Sequence, residues 1–163
     1  MTLAGFFDYD GKGQGDRDDA IDAAELEFLR SYDDAQWEAL LAYTQTERFE
    51  AGQVVLALGS RERALFIVAE GALEVLVGRA PHTQRIALAD VGDVVGEQVF
   101  LDGRERSAEV RAVSDSRLVK LGVDAFESFA ALHPELARVF LFDLGRVLSL
   151  RLRQTTALLV AQR

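Results

Sequence analysis

From Phe49 to Leu121 the chain is a succession of short apolar runs broken at close intervals by turn residues. Phe49–Leu56 leads to a turn at Gly59-Ser60, and Ala64–Ala69 turns at Glu70-Gly71 into Ala72–Val77. The loop Gly78–Thr83 leads to Gln84–Ala89, and Asp90–Asp93 turns again. Arg106–Val113 and Arg117–Leu121 read as a last hairpin around Ser114-Asp115-Ser116. Short strands with near-regular turn signals specify an antiparallel sandwich or barrel.

Helices are expected on both flanks. Ala20–Arg30 and Asp33–Thr44 read as two short ones, the second capped by Ser31 or Asp33, with Trp37, Leu40 and Leu41 on one face as core anchors. Asp124 is placed to cap Ala125–Ala131, and His133-Pro134 ends that helix. A long helix then starts at Pro134 or Glu135 and runs to about Val160. Its apolar residues are too many for one surface face. Leu141, Leu144, Leu148, Arg151, Thr155 and Leu158 form one stripe, while Phe140, Val147 and Leu150 lie off it. One face can pack on the barrel and the other on a second copy, so a parallel homodimer through the C-terminal helix is expected.

With 163 residues, 49% of them hydrophobic, the chain suits one domain with a real core. There is no cysteine, which removes disulfides, thiol catalysis and thiolate metal sites. No apolar run approaches membrane-spanning length and the N-terminus lacks a signal pattern, so a cytoplasmic protein without membrane contact is expected. Net charge is −9, and residues 1–34 hold ten acidic side chains against three basic ones. That is not the basic footprint of a nucleic-acid binder, and no nucleic-acid partner is expected. Residues 1–20 read as a flexible acidic leader. A calcium loop at Asp8, Asp10 and Gly13 fails because Lys12 stands where an oxygen ligand belongs. Phe6, Phe7 and Tyr9 are candidates to dock on the domain or on a partner. The domain expectation is therefore a leader over 1–20 and a domain over 21–163, with strands over about 46–122 and C-terminal helices over 124–161.

The stretch Gly92–Val110 carries the chemistry. Glu97 follows Gly96, Arg106 precedes Ser107, and a short apolar run ended by Gly103 lies between them. Backbone N–H groups near Gly96 attract anions, Arg106 can pair with a phosphate in a two-pronged way, and Glu97 can accept from sugar hydroxyls. An anion and a diol together describe a nucleotide. Val94, Val95, Val99, Phe100 and Leu101 are expected as core or pocket wall, with Leu88 a weaker pocket candidate. Enzyme readings fare badly. The only histidines, His82 and His133, have no partner at metal-ligand spacing, and neither a nucleophile–base pair nor a P-loop is present. Neither a metal nor a cofactor is expected.

These spaced motifs resemble cyclic nucleotide-binding domains: Phe49-x-x-Gly52-x-Val54-x-x-x-x-Gly59, Leu65-Phe66-Ile67-Val68-x-x-Gly71-x-Leu73-x-Val75, Gly92-Asp93-x-x-Gly96-Glu97 and Arg106-Ser107-Ala108-x-Val110. The resemblance covers about residues 35–160. It implies a mainly β fold with flanking α, a jelly-roll β-roll (double-stranded β-helix) with N-terminal helices and a long C-terminal helix over the pocket. It also implies a ligand set of Gly96, Glu97, Gln98, Arg106, Ser107 and Ala108, with Glu97 on the ribose 2′-OH and Arg106 on the cyclic phosphate. Among relatives the chain is most similar to the sensor half of the catabolite activator protein group. There two adjacent hydroxyl residues of the long helix contact the adenine, one subunit reaching the other's ligand, and Thr155-Thr156 match that place. The chain ends seven residues after Thr156, so no helix-turn-helix is expected and the output must pass to a separate, unidentified effector protein. The expected function is a stand-alone cyclic nucleotide sensor, cAMP being the expected ligand. The alternative is a ligand-free interaction and dimerisation module. On the sensor reading, Arg106→Leu removes binding while the thermal midpoint barely moves.

Overall fold

The structure is a computed structural model and describes residues 21–161; what was expected of residues 1–20 lies outside the described residues. Eight strands follow one another: β1 (Gln45–Phe49), β2 (Val54–Leu56), β3 (Ala64–Glu70), β4 (Leu73–Val77), β5 (Gln84–Ala89), β6 (Val94–Val95), β7 (Glu109–Ala112) and β8 (Ser116–Gly122). They form two antiparallel four-stranded sheets, ordered β1-β8-β3-β6 and β2-β7-β4-β5. This is the jelly-roll architecture, with helices at its ends.

Only β4 and β5 make the local hairpin that their loop suggests. The last two strands do not pair with each other: β7 lies between β2 and β4, whereas β8 lies between β1 and β3. Residues 113–115 carry the chain from one sheet to the other. The turn at Gly71 does the same between β3 and β4, with φ at +87° and the backbone so close to Asp115 and Ser116 that a Cβ would lie 2.5 Å from the Asp115 carbonyl oxygen. Crossing between sheets removes the hairpin expected around Ser114-Asp115-Ser116 and keeps β3 and β4 from pairing across Gly71.

Strand alternation separates two cores. From β3, Phe66 and Val68 point between the sheets with Leu56, Leu73, Val95, Val110 and Leu118. Leu65, Ile67 and Ala69 point the other way, against helices. A strand covered on both faces reads as a continuous apolar run, and Ala64–Ala69 is one.

Among the described residues four α-helices supply that second cover: α1 (Asp34–Leu41), α2 (Glu97–Asp102), α3 (Val123–Leu132) and α4 (Pro134–Ala161). Phe126, Phe129, Phe140, Leu144 and Val147 from α3 and α4 fill the helical core with Phe28, Trp37 and Leu40. The expected helix over Ala20–Arg30 is reduced to one 3-10 turn, Ala23–Leu26, because Phe28 and Leu29 turn inward and Leu29 takes a φ of +59°. Asp33, not Ser31, caps α1, its carboxylate accepting from the Gln36 N–H at 2.8 Å while Gln36 returns the contact. Asp33→Ala is expected to cost about 1 kcal/mol in urea unfolding. Asp124 is not a cap: α3 starts at Val123, whose N–H donates to the Arg63 carbonyl.

On α4, Leu144 is buried and Leu148 half-buried, while Phe142, Gly145, Ser149, Leu152, Thr156 and Leu159 face outward. The outward residues follow a three-four spacing and form the uncovered face, whereas the Leu141–Leu158 stripe is divided between core and solvent.

Candidate functional site

β6 brings the chain out of the helical core to Gly96, the point where β6 gives way to α2. Gly96 has φ at +80°, and a Cβ there would sit 2.9 Å from Arg106 Nη1 and 3.0 Å from the Ala64 carbonyl oxygen. Only glycine accepts both that conformation and that approach. α2 then runs six residues to Gly103. Its last carbonyls receive the Arg63 guanidinium, at 2.8 Å to Phe100 O and 3.0 Å to Leu101 O. Nothing in the sequence near Arg63 marks it for this role. Val94, Val95, Val99 and Phe100 are buried, whereas Leu101 and Leu88 are exposed.

Arg106 is buried, and its guanidinium is largely engaged by the loop between β2 and β3. Nε donates to Ser60 Oγ at 3.1 Å, and Nη2 donates to both Glu62 O at 2.8 Å and Ala64 O at 2.9 Å. Nη1 makes one long contact, 3.5 Å to Gly96 O. The edge needed for a two-pronged phosphate contact is therefore occupied, and Nη1 is the end with an N–H to offer. Among the described residues no carboxylate pairs with Arg106. Burial pushes its proton affinity down, and the more distant charges of Glu62 and then Glu97 push it back. A desolvated cation with no carboxylate partner favours a negative charge beside it.

Glu97, also buried, belongs to a different partner. Arg151 of α4 donates from Nη1 to Glu97 Oε1 at 2.7 Å and from Nη2 to the Val94 carbonyl at 2.6 Å. Arg151 thus ties the long helix to the Gly92–Val110 stretch, hereafter the cassette. In the sequence it stands only as one arginine in a helical stripe with five apolar and hydroxyl positions, which is the available signal. Asp93, beside this pair, has its pKa raised, first by burial, with the Asp90 N–H and Arg151 opposing. A carboxyl raised in the folded state holds its proton longer than in the unfolded chain, so its contribution to stability falls as pH climbs from about 3.9 through the raised value. Asp93→Asn is expected to raise the thermal midpoint at pH 7, the gap to the parent closing as the pH approaches 4. An equal gap at both pH values refutes this.

The remaining residues of the expected set are placed less tightly. Gln98 and Ser107 are exposed at the cassette surface, and neither side chain hydrogen-bonds to the described residues. Ala108 is half-buried. Thr155 and Thr156 are exposed on α4 beyond Arg151, and their hydroxyls donate to the helix carbonyls of Arg151 at 3.0 Å and Leu152 at 2.9 Å. The fold gathers Gly96, Glu97, Arg106 and Arg151, borders them with Gln98, Ser107 and Ala108, and leaves both threonine hydroxyls in bonds within α4.

A family model described as "Cyclic nucleotide-binding domain" matches residues 46–133. Glutaminase 2 of Bradyrhizobium diazoefficiens is 29% identical over 140 residues, 86% of this chain and 22% of that protein. The CRP-like cAMP-activated global transcriptional regulator of Mycobacterium tuberculosis is 32% identical over 120 residues, 72% of this chain and 51% of that protein. The chain spans about a quarter or less of the length of the first curated relatives it matches. A cyclic nucleotide-binding domain from Methylobacillus flagellatus superimposes with a TM-score of 0.76 at 22% identity, covering 86% of this chain and 80% of that one. The Thermus thermophilus catabolite activator protein gives 0.72 at 24% identity, covering 82% and 62%. At such identities the superpositions speak for the fold.

Proposed function

Because the chain belongs to the cyclic nucleotide-binding domain family, we propose that it is a regulatory module that binds a cyclic nucleotide, cAMP in the first instance, and signals to a separate partner protein. The observation that carries this is Arg106, a buried guanidinium with no carboxylate partner among the described residues and one end lightly engaged beside Gly96. A cyclic phosphate takes its charge from Arg106 Nη1, and the exposed Ser107 hydroxyl and nearby backbone N–H groups supply further donors. The ribose 2′-OH donates to Glu97, whose Oε1 is held by Arg151 and whose second oxygen remains to accept. Ligand at Glu97 thereby touches the residue that fixes α4, and any shift of the helix is limited by the ligand's differential affinity for its two positions. Thr155 and Thr156 reach the base only after leaving their bonds to the helix carbonyls. This reading assigns the chain no catalytic step, nucleic-acid contact or membrane contact, and places its work in the cytoplasm.

A homodimer through α4 belongs to the same reading. Its support is the outward row of Phe142, Leu152 and Leu159, which are 77%, 68% and 62% exposed. Sedimentation at tens of micromolar is expected to exceed the monomer mass of 18.0 kDa, and a monomer rules the dimer out.

A second reading, a ligand-free interaction module, is favoured by one observation: Glu97 already has a cation on it. Titration calorimetry with cAMP and cGMP separates the two. Saturable heat with thermal stabilisation supports the sensor. Neither signal at millimolar nucleotide supports the module.

A further inference from the structure

The segment Glu25–Tyr32, reduced from an expected helix to a strap, lies between α4 and the turn that feeds the cassette. Asp143 Oδ2 accepts from the Leu29 N–H at 2.6 Å, and Asp143 Oδ1 accepts from Arg146 Nε at 2.6 Å. Arg146 also donates to the carbonyls of Glu25 and Glu27, the latter at 2.8 Å. On its other side the strap reaches the turn: the Phe28 N–H donates to the Gly92 carbonyl at 2.9 Å, and the Glu27 side chain lies against Gly92. Phe28 and Leu29 are fully buried, Phe28 edge-on to Phe140 with ring centres 5.0 Å apart. Tyr32 OH closes the strap on the Leu136 carbonyl at 2.5 Å. Leu29 holds a left-handed φ of +59°, a conformation that a branched side chain keeps only when its surroundings impose it.

Gly92 is two residues before Val94, whose carbonyl receives Arg151, and five before Glu97. Arg146 and Arg151 are five residues, about 7.5 Å, apart along α4. The strap and the Arg151 contact therefore bridge the same two elements side by side, and a displacement of α4 against the turn strains both.

We propose that Asp143 and Arg146 are positioning residues for the nucleotide site: by clamping the strap they hold α4 where Arg151 reaches Glu97, so docking of the strap and nucleotide binding are coupled. This rests on the cyclic nucleotide reading above. Coupling is reciprocal, so nucleotide must steady the strap as the strap steadies the site.

The test uses the full chain and hydrogen exchange read residue by residue. Without nucleotide, Arg146→Ala is expected to speed exchange of amides 92–97 relative to those of β8, with Arg146→Lys recovering part of the protection through one carbonyl contact. With saturating cAMP, the parent is expected to exchange more slowly at Phe28 and Leu29, and Arg146→Ala is expected to raise the cAMP dissociation constant about fivefold. If Arg146→Ala does not fold, Asp143→Asn takes its place. Unchanged exchange at 92–97 in the variant overturns the proposal whether or not nucleotide binds. Unchanged exchange at Phe28 and Leu29 under saturating cAMP, with a dissociation constant within twofold of the parent, overturns it where nucleotide binds. Absence of any cAMP binding overturns the sensor reading alone, and the nucleotide-free comparison then decides the strap.

Discussion

Arg106→Leu is expected to abolish cyclic nucleotide binding and to lower stability by about 3 kcal/mol, a fall in thermal midpoint of roughly 6–12 °C. The first effect follows from removing the cation to which the proposed function assigns the cyclic phosphate. The second follows from what the other nitrogens do: Nε and Nη2 hold Ser60, Glu62 and Ala64, and leucine leaves those oxygens without donors. Losing a donor to a buried acceptor costs about 1–3 kcal/mol each time, less where water can enter. This corrects the expectation that the midpoint barely moves. Arg106→Lys keeps the charge but not the planar fork, so it is expected to recover little of either property. Thermal unfolding without ligand is the measurement, and a midpoint within about 2 °C of the parent would falsify the structural role of the guanidinium. Because folding and binding fall together, Arg106→Leu alone is a poor test of ligand recognition.

Glu97 and Arg151 offer the cleaner experiment. Arg151→Met is expected to cost about 2 kcal/mol, below the 3–5 kcal/mol typical of breaking a buried pair, because Arg151 is 27% exposed against 9% for Glu97. Glu97→Gln leaves Arg151 its bond to the Val94 carbonyl and is expected to cost less. The double variant is expected to be more stable than the sum of the singles predicts, by about 1–2 kcal/mol, since no carboxylate is left alone in the site. Additive losses in urea unfolding would show that the 2.7 Å contact carries no energy. For nucleotide, Glu97→Gln is expected to weaken binding roughly 10–100-fold, the value of a hydrogen bond to a charged acceptor.

Much of the fold is local and therefore legible. The apolar run of β3, Pro134 at the start of α4 and the Asp33 cap are each set by neighbours in sequence. What failed is long-range. Val110 pairs with Val75 of β4 rather than across Ser114, a partner 35 residues away that no turn residue encodes. Helical periodicity over Ala20–Arg30 was outweighed by burial of Phe28 and by the α4 carboxylate at Leu29, contacts 112 and 114 residues away in the chain. In the site, Gly96, Glu97 and Arg106 were readable because chemistry and spacing coincide. Arg63, Ser60 and Arg151 are not, since each meets a partner distant in sequence: the Phe100 carbonyl, the Arg106 guanidinium and the Glu97 carboxylate.

The strand β5 ends its sheet, and five of its six residues are exposed. Its outer edge presents an open row of N–H and C=O groups beside Ile86 and Leu88. Such an edge is a template on which another strand can grow, and proteins commonly blunt it with a charge. Between Gln84 and Ala89 the one charged residue is Arg85. Along β5 the Arg85 guanidinium, 3.9 Å from Glu74 Oε2, is thus the charge that stands against copies adding strand to strand at this edge.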